Sequence, residues 1–329
     1  MRLALAALLA LVPLALFPLG ATAAPGPSFD CAKATQPAEK AICADDSLAA
    51  MDRLLDRAYR LALDGLPADQ ASALKGDQVR WLLERARAFT AAKGEPAALA
   101  ALYDQRLRAV IAKAGPRILP AALARAQAID PLANAGREAE EEAAFVAYVL
   151  TALHPDPPAP GAGGEAEVLS PYERYAGFTY AAPLPDGRLF VAVPADCGAY
   201  QCANTPFLVD KTSGTAARLA VEILEDDKDK GKPRPDPQAV PLGIPSVQGD
   251  VVEIVELARG SGDCGTKWRY RVEGTTLALA ETVEKPACDG KDWSGASSRA
   301  PDVSSSVAGT QEDSCTNRSS AVPPALSRK

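Results

Sequence analysis

The residues with the most chemistry to offer are a lone histidine and a glycine-rich turn. His154 is the only histidine in the chain, and it opens a proline-rich stretch. Ser-His-Asp, Cys-His and histidine-metal sites need an imidazole held rigidly beside its partner. The sequence GSGDCG at 260–265 is followed by no helical pattern, so it predicts a tight turn leading to a disulfide rather than a phosphate-binding loop. We therefore predict no catalytic, cofactor-binding or metal-binding residues, and we expect that the protein is not an enzyme.

Carboxylate pairs are the one remaining catalytic option. A glycosidase needs only two carboxylates flanking a cleft, and the chain has 42 acidic residues, so some pair is always available. Aromatic residues make up only 5% of the chain, which argues against a sugar-binding cleft. A carboxylate-only glycan hydrolase stays open as the weaker alternative.

The seven cysteines form two groups along the chain, and one cysteine lies outside both groups. Cys31 and Cys43 lie near the start, four lie between 197 and 288 (Cys197, Cys202, Cys264 and Cys288), and Cys315 lies in a Ser-rich tail. The spacing of the later four does not match the short paired knuckles of a zinc ribbon. In an exported chain these six cysteines are predicted to form disulfides. A bond from Cys31 to Cys43 would contribute roughly 3 kcal/mol by restricting the unfolded chain.

The first residues predict export. A short positive start, an apolar run from Leu3 to Leu19 and small residues at Ala21 and Ala23 are typical of a signal peptide at 1–23, cleaved after Ala23. An uncleaved membrane anchor is the alternative, but the run barely reaches the roughly 20 residues that a span requires. The mature protein is expected in the periplasm or secreted, with no membrane segment.

Charge limits the class of partner. The chain has 35 Lys and Arg against 42 Asp and Glu, a net charge of −7. This balance argues against nucleic acid, whose phosphates require a basic surface. It is compatible with a cationic protein, since opposite net charge steers encounter.

Periodicity divides the chain into an α+β protein of two domains. Apolar spacing of 3.6 residues and Gly/Pro breaks predict a disulfide-stapled antiparallel helical bundle at 28–112, with Thr35 capping its first helix. Two of its helices have predicted core stripes, which are Leu48, Met51, Leu55, Ala58 and Ala62 on one and Leu74, Trp81, Leu82, Arg85 and Phe89 on the next. Further helices follow at 113–153, then a Pro/Gly linker at 154–166. Alternating or apolar runs separated by turn signals predict a mainly antiparallel β domain at 167–300, in which the charged stretch 225–237 is a loop. The five predicted strands are 188–193, 205–209, 251–257, 267–272 and 276–280. The Ser-rich tail at 301–329 is predicted to be disordered.

Acidic residues near the predicted helix junctions are candidate partner contacts. Glu138 and the run 140–142 form either a patch for a basic partner or, as we prefer, favourable charge at a helix N-terminus on a solvated face. Asp45, Asp46 and Asp52 are also candidate contacts, and N-capping with solvation is the alternative explanation.

The first part of the chain resembles the LprI-type lysozyme inhibitors (DUF1311-type). The matching stretches are FDCAKATQPAEKAICADDSLAAMDRLLDRAYRLAL at 29–63, QVRWLLERARAF at 78–89 and LYDQRLRAV at 102–110. The resemblance implies export, a helical fold stapled by the first cysteine pair and, in some members, inhibition of lysozyme. A second cysteine pair that the family often carries is missing here.

Residues 180 to about 300 resemble a secreted bacterial family of unknown function (DUF1176). The resemblance rests on GSGDCGTKWRYRVEGTTLALAETVEKPAC at 260–288, with Trp293 soon after. It implies an envelope location and a Cys264–Cys288 bond, but no chemistry.

The sequence therefore predicts an exported, non-enzymatic binding protein of the bacterial envelope. Its leading hypothesis is lysozyme inhibition, with a cationic lysozyme as the protein partner and no cofactor. The alternative is a structural or assembly module that docks onto another envelope protein.

Overall fold

The computed structural model describes residues 25–125, 128–131, 133, 136–155, 169–224 and 232–300. The predicted signal peptide, the tail with Cys315, and most of the predicted linker lie outside the described residues. The helices are α1 (Pro37–Ala44), α2 (Asp46–Gly65), α3 (Ala68–Ala91), α4 (Pro96–Ala114), α5 (Leu119–Leu123), α6 (Arg137–Leu153) and α7 (Pro171–Phe178). Two 3-10 turns lie at Cys31–Lys33 and Gly115–Ile118.

Local capping chemistry sets where the first helices begin. The Asp45 carboxylate accepts a hydrogen bond from Leu48 N at 2.9 Å and so caps α2, as the sequence predicts. At α1 the predicted cap is wrong: Gln36, not Thr35, occupies the N-cap position. The Glu39 carboxylate accepts from the backbone N–H groups of both Thr35 and Gln36, at 3.0 and 3.1 Å. These two bonds lower the pKa of Glu39.

The predicted apolar faces of the bundle are largely buried. On α2, the predicted stripe of Leu48, Met51, Leu55, Ala58 and Ala62 lies in the core. On α3, however, the prediction is wrong for Leu82, which is exposed. A helix as weakly amphipathic as α3 has two apolar stripes, and only the one that contains Trp81 faces α4.

Helix α6 lies at the centre of the molecule. Every residue from Glu142 to Leu150 is buried, as expected for a helix that is apolar all round. It packs against α4, α5 and α7. His154, directly after α6, contacts Phe207 of the sheet with ring centroids 5.8 Å apart.

The rest of the described chain contains one sheet of eleven strands. They are β1 (Tyr180–Pro183), β2 (Leu189–Cys197), β3 (Cys202–Asp210), β4 (Thr215–Arg218), β5 (Ala220–Ile223), β6 (Arg234–Asp236), β7 (Leu242–Gln248), β8 (Val251–Leu257), β9 (Gly265–Glu273), β10 (Thr276–Lys285) and β11 (Ser297–Arg299). The order is β1-β2-β3-β7-β8-β9-β10-β5-β6, with β4 beside β3 and β11 beside β10. All pairs are antiparallel except β10 with β5.

The apolar run of β2 is continuous because this strand is buried on both faces. Leu189, Val191 and Val193 belong to the core that also contains the helices. Phe190 and Ala192 belong to a second core on the opposite face of the sheet. One face of β2 therefore belongs to the same core as the helices. The predicted α+β class is confirmed.

The prediction of a loop at 225–237 is wrong near its C-terminal end. Residues 225–231 lie outside the described residues, but Arg234–Asp236 form β6, which pairs with β5. Pro235 is tolerated there because β6 is at the end of the sheet order, and an edge strand can lack one N–H donor.

Candidate partner-binding surface

A buried polar network joins three helices of the N-terminal region. Asp52 of α2 accepts hydrogen bonds at Oδ2 from Ser28 N (2.8 Å) and Ser28 Oγ (2.6 Å), and at Oδ1 from the Tyr103 hydroxyl (2.7 Å). Arg85 Nη1 donates to the same hydroxyl at 2.6 Å. Burial and the neighbouring Asp52 charge raise the pKa of Tyr103, so the hydroxyl stays protonated between a carboxylate and a guanidinium. Asp52, a candidate partner contact, is therefore an internal crosslink.

The remaining motif residues surround this network. The Trp81 ring packs edge-on against Tyr103, with centroids 5.2 Å apart. Arg106 donates two hydrogen bonds to Gln78 Oε1, at 3.0 and 2.8 Å, and its guanidinium lies 5.8 Å from the Trp81 ring. The three stretches that resemble the LprI-type inhibitors thus meet in one place, through Asp52 from 29–63, Gln78, Trp81 and Arg85 from 78–89, and Tyr103 and Arg106 from 102–110. Asp52, Tyr103 and Arg85 are buried and joined by hydrogen bonds, although Arg85 Nε has no partner among the described residues. The half-buried Arg106 and Gln78 bond to each other. These residues therefore position the helices rather than contact a ligand.

Most of the other candidate acidic contacts are also paired within the molecule. Asp45 caps α2, and Asp46 pairs with Arg137 at 2.9 Å. Within the acidic run, Glu142 is buried and pairs with Arg57 at 2.8 Å and with Arg125 at 3.1 Å.

Glu141 pairs with Arg53 of α2, whose Nε donates to Glu141 Oε2 at 3.1 Å. The preferred assignment of the acidic run to a solvated face is therefore wrong for Glu142. Glu141 and Glu142 thus hold α6 against α2.

One surface of the helical region exposes large apolar side chains. Val79, Leu82 and Leu83 of α3 are 62%, 39% and 57% exposed. Their spacing of three and four residues places them on one side of the helix. We call these three residues the α3 patch. Clustered exposed apolar side chains are typical of protein-binding surfaces.

The six cysteines with predicted bonds form three disulfides: Cys31–Cys43, Cys197–Cys202 and Cys264–Cys288. The first ties the 3-10 turn at 31–33 to α1. The second closes the turn between β2 and β3. The third connects the start of β9 to the chain after β10.

The glycine-rich motif forms a braced corner around Asp263. Its carboxylate accepts from Arg259 Nε at 2.7 Å, Ser261 Oγ at 2.6 Å and Gly290 N at 2.7 Å, and these bonds, Arg259 first, hold its pKa well below its usual range. A Cβ at Gly265, where φ is +140°, would lie 2.0 Å from Glu256 O, so only glycine fits there.

A buried lysine completes the same corner. Lys285 Nζ donates to Asp263 O at 2.6 Å, Ala287 O at 2.9 Å and Asp289 Oδ1 at 2.7 Å. The ammonium therefore fills the space between three acceptors. The role of the glycine-rich motif is therefore structural. The sequence predicts a tight turn beside a disulfide, and the structure contains it.

The described residues assemble no familiar catalytic group. His154 is half-buried against Phe207 rather than free in a linker, and burial lowers its pKa. Within the described ranges, no three or more His, Cys, Asp or Glu residues cluster so as to hold a metal ion. Asp130 and Glu140 line a cavity of about 60 Å³, which holds only a few waters and no sugar ring. No helix in the described part of the chain is long and apolar enough to cross a bilayer.

These features define a disulfide-braced α+β protein with an apolar surface on its helical region. Residues 31–114 match the family described as lysozyme inhibitor LprI, and residues 165–298 match the family described as protein of unknown function (DUF1176). Both resemblances drawn from the sequence are thereby confirmed. Neither a curated protein nor a solved structure matches the chain.

Sequence reasoning missed the α3 patch, although its signal was present. Val79, Leu82 and Leu83 form a second apolar stripe beside the one that contains Trp81, and no element within the described ranges covers it. The polar network could not be located in the same way, since Asp52 and Tyr103 are 51 residues apart.

Proposed function

We propose that this is an exported, non-enzymatic protein-binding protein of the bacterial envelope that inhibits a lysozyme through its helical region. The observation that carries this proposal is the match of residues 31–114 to the lysozyme inhibitor family, whose motif residues form the network around Asp52. That network is buried, so binding is assigned to the surface that it holds in place.

The α3 patch is the contact surface that we assign. Interface hot spots are large side chains that are desolvated on binding. Val79 and Leu83 are the most exposed large apolar residues in the described part of the chain. The network and the Trp81–Tyr103 contact anchor the opposite side of α3, so the patch is presented on a rigid element and loses little entropy on binding.

Charge should contribute less to the binding of a lysozyme than the net charge of the whole chain suggests. Residues 31–114 contain 13 Lys and Arg against 11 Asp and Glu, whereas residues 165–298 contain 14 against 21. The acidic excess thus lies outside the helical region. We expect inhibition to depend mainly on apolar contact, so that added salt weakens it little.

The test is inhibition of cell-wall lysis across a panel of lysozymes. Val79→Asp and Leu83→Asp should each weaken inhibition by about tenfold or more, as expected for a desolvated interface residue. Val240→Asp is the matched control, since Val240 is exposed and lies in the β region. Inhibition by Val79→Asp and Leu83→Asp at the strength of the unmodified protein would refute the assignment of the patch.

Absence of inhibition by the unmodified protein would refute lysozyme as the partner. It would favour instead a structural or assembly module that docks onto another envelope protein. Turnover of glycans by the purified protein would favour the carboxylate-only hydrolase.

A further inference from the structure

An apolar groove lies in the β region, where the second core reaches the surface. It is formed by β5, the chain leading into β7, and the neighbouring strands β8 and β9, and its volume is about 270 Å³. The residues that line it are Val221, Ile223, Leu224, Ala239, Val240, Pro241, Leu242, Glu256, Trp268 and Tyr270. This volume is near the lower end of small-molecule sites, which are typically apolar with a few polar groups.

The rim of the groove is incompletely covered. Val240 and Leu242 are 40% and 41% exposed, although both are large apolar residues that neighbour the core. Trp268 is packed against that core and extends from it into the groove. The groove therefore offers aliphatic walls and one indole ring to a ligand.

Glu256 is the single charged residue among those that line the groove. Its Oε2 accepts from Trp268 Nε1 at 3.3 Å. Its Oε1 makes no hydrogen bond to any residue that the structure describes. The Trp268 bond orients the carboxylate and leaves one oxygen available.

Tyr270 adds a neutral polar group. The residue is more than nine-tenths buried, and its hydroxyl has no hydrogen-bond partner among the described residues. Burial first, and then the charges of Glu222 and Glu256, raise the pKa of Tyr270. Its hydroxyl is thus protonated at neutral pH and can donate or accept a hydrogen bond.

We propose that this groove binds a small amphiphilic cation, with its apolar body against Trp268 and the exposed rim and its ammonium group on Glu256. Electrostatic complementarity selects the sign of the ligand, because the walls carry one carboxylate and no basic side chain. A carboxylate ligand would meet Glu256 with like charge. The inference is independent of the α3 patch.

The test compares three probes that share one apolar body: 3-phenylpropylamine, 3-phenylpropanol and 3-phenylpropionate. Calorimetric titration of the purified protein at neutral pH should show that the amine binds about tenfold more tightly than the alcohol, a difference of about 1.4 kcal/mol. The propionate should bind more weakly than the alcohol. Equal affinity for the amine and the propionate, or no binding of the amine, would overturn the proposal.

Two variants separate the roles of charge and apolar surface. Glu256→Gln should reduce amine affinity to that of the alcohol and leave the alcohol unchanged. Glu284→Gln, at an exposed position on β10, is the matched control and should change neither. Val240→Asp should weaken binding of the alcohol without affecting inhibition by the α3 patch. An amine preference that survives in Glu256→Gln would contradict the assignment of Glu256.

Discussion

The hydroxyl of Tyr103 should make a large contribution to the stability of the helical region. It donates to Asp52 and accepts from Arg85, and all three residues are buried. Hydrogen bonds to charged groups contribute about 1.5–3 kcal/mol each, and a buried charged group left without its partner costs more than the bond itself. Asp52 keeps its two bonds from Ser28, which limits the loss. We therefore expect Tyr103→Phe to lower the free energy of unfolding by about 2–4 kcal/mol.

The assay is urea unfolding followed by far-UV circular dichroism, which reports mainly on the helices. A loss of this size would shift the midpoint by about 1–2 M urea for a typical dependence on denaturant. Tyr59→Phe is the matched control, because Tyr59 lies on α2 of the same helical bundle and its hydroxyl makes no hydrogen bond to any described residue. That change should stay within about 0.5 kcal/mol. If both variants unfold at the same urea concentration, the network is not the crosslink inferred here.

Other predictions concern the disulfides and titrating groups. Replacing Cys31 and Cys43 with serine should cost roughly 3 kcal/mol, measured by the same unfolding assay, because the unfolded chain regains the entropy of a 12-residue separation. Asp263→Asn should destabilise the protein at neutral pH; because the folded pKa of Asp263 is depressed, the difference should shrink as the pH falls below the unfolded value of about 3.9. The NMR signal of His154 should titrate below the usual value of about 6.5, because burial favours the neutral ring. The free energy of unfolding should correspondingly fall as the pH drops below about 6.5, because the unfolded chain then binds a proton more readily than the folded one. A normal pKa for His154 would contradict its contact with Phe207.

The helical region was largely predictable because the residues that begin and end its helices act locally. Asp45, Gly65 and the prolines at 67 and 96 mark helix ends within one residue or two of those observed. The five predicted strands correspond to β2, β3, β8, β9 and β10, which have long apolar or alternating runs. The remaining strands are short or interrupted, as at Pro245 in β7, so periodicity gives little signal for them.

What the sequence could not supply was the partner of each polar group. Asp52 and Glu142 are candidate partner contacts in the sequence, yet Tyr103 and Arg57, which are distant along the chain, bond to them in the fold. The separation between Arg57 and Glu142 is 85 residues. His154 illustrates the same limit: its neighbours in sequence are proline-rich, whereas its neighbour in space is Phe207.

We propose that this chain acts by stoichiometric binding to a lysozyme rather than by turnover. The most direct measurement is the residual lytic activity of a fixed amount of lysozyme as the purified protein is added, across the panel. For at least one enzyme, we expect a linear fall in activity that ends near one molecule of protein per molecule of lysozyme. Undiminished lysis of every enzyme in a large molar excess of the protein would contradict it.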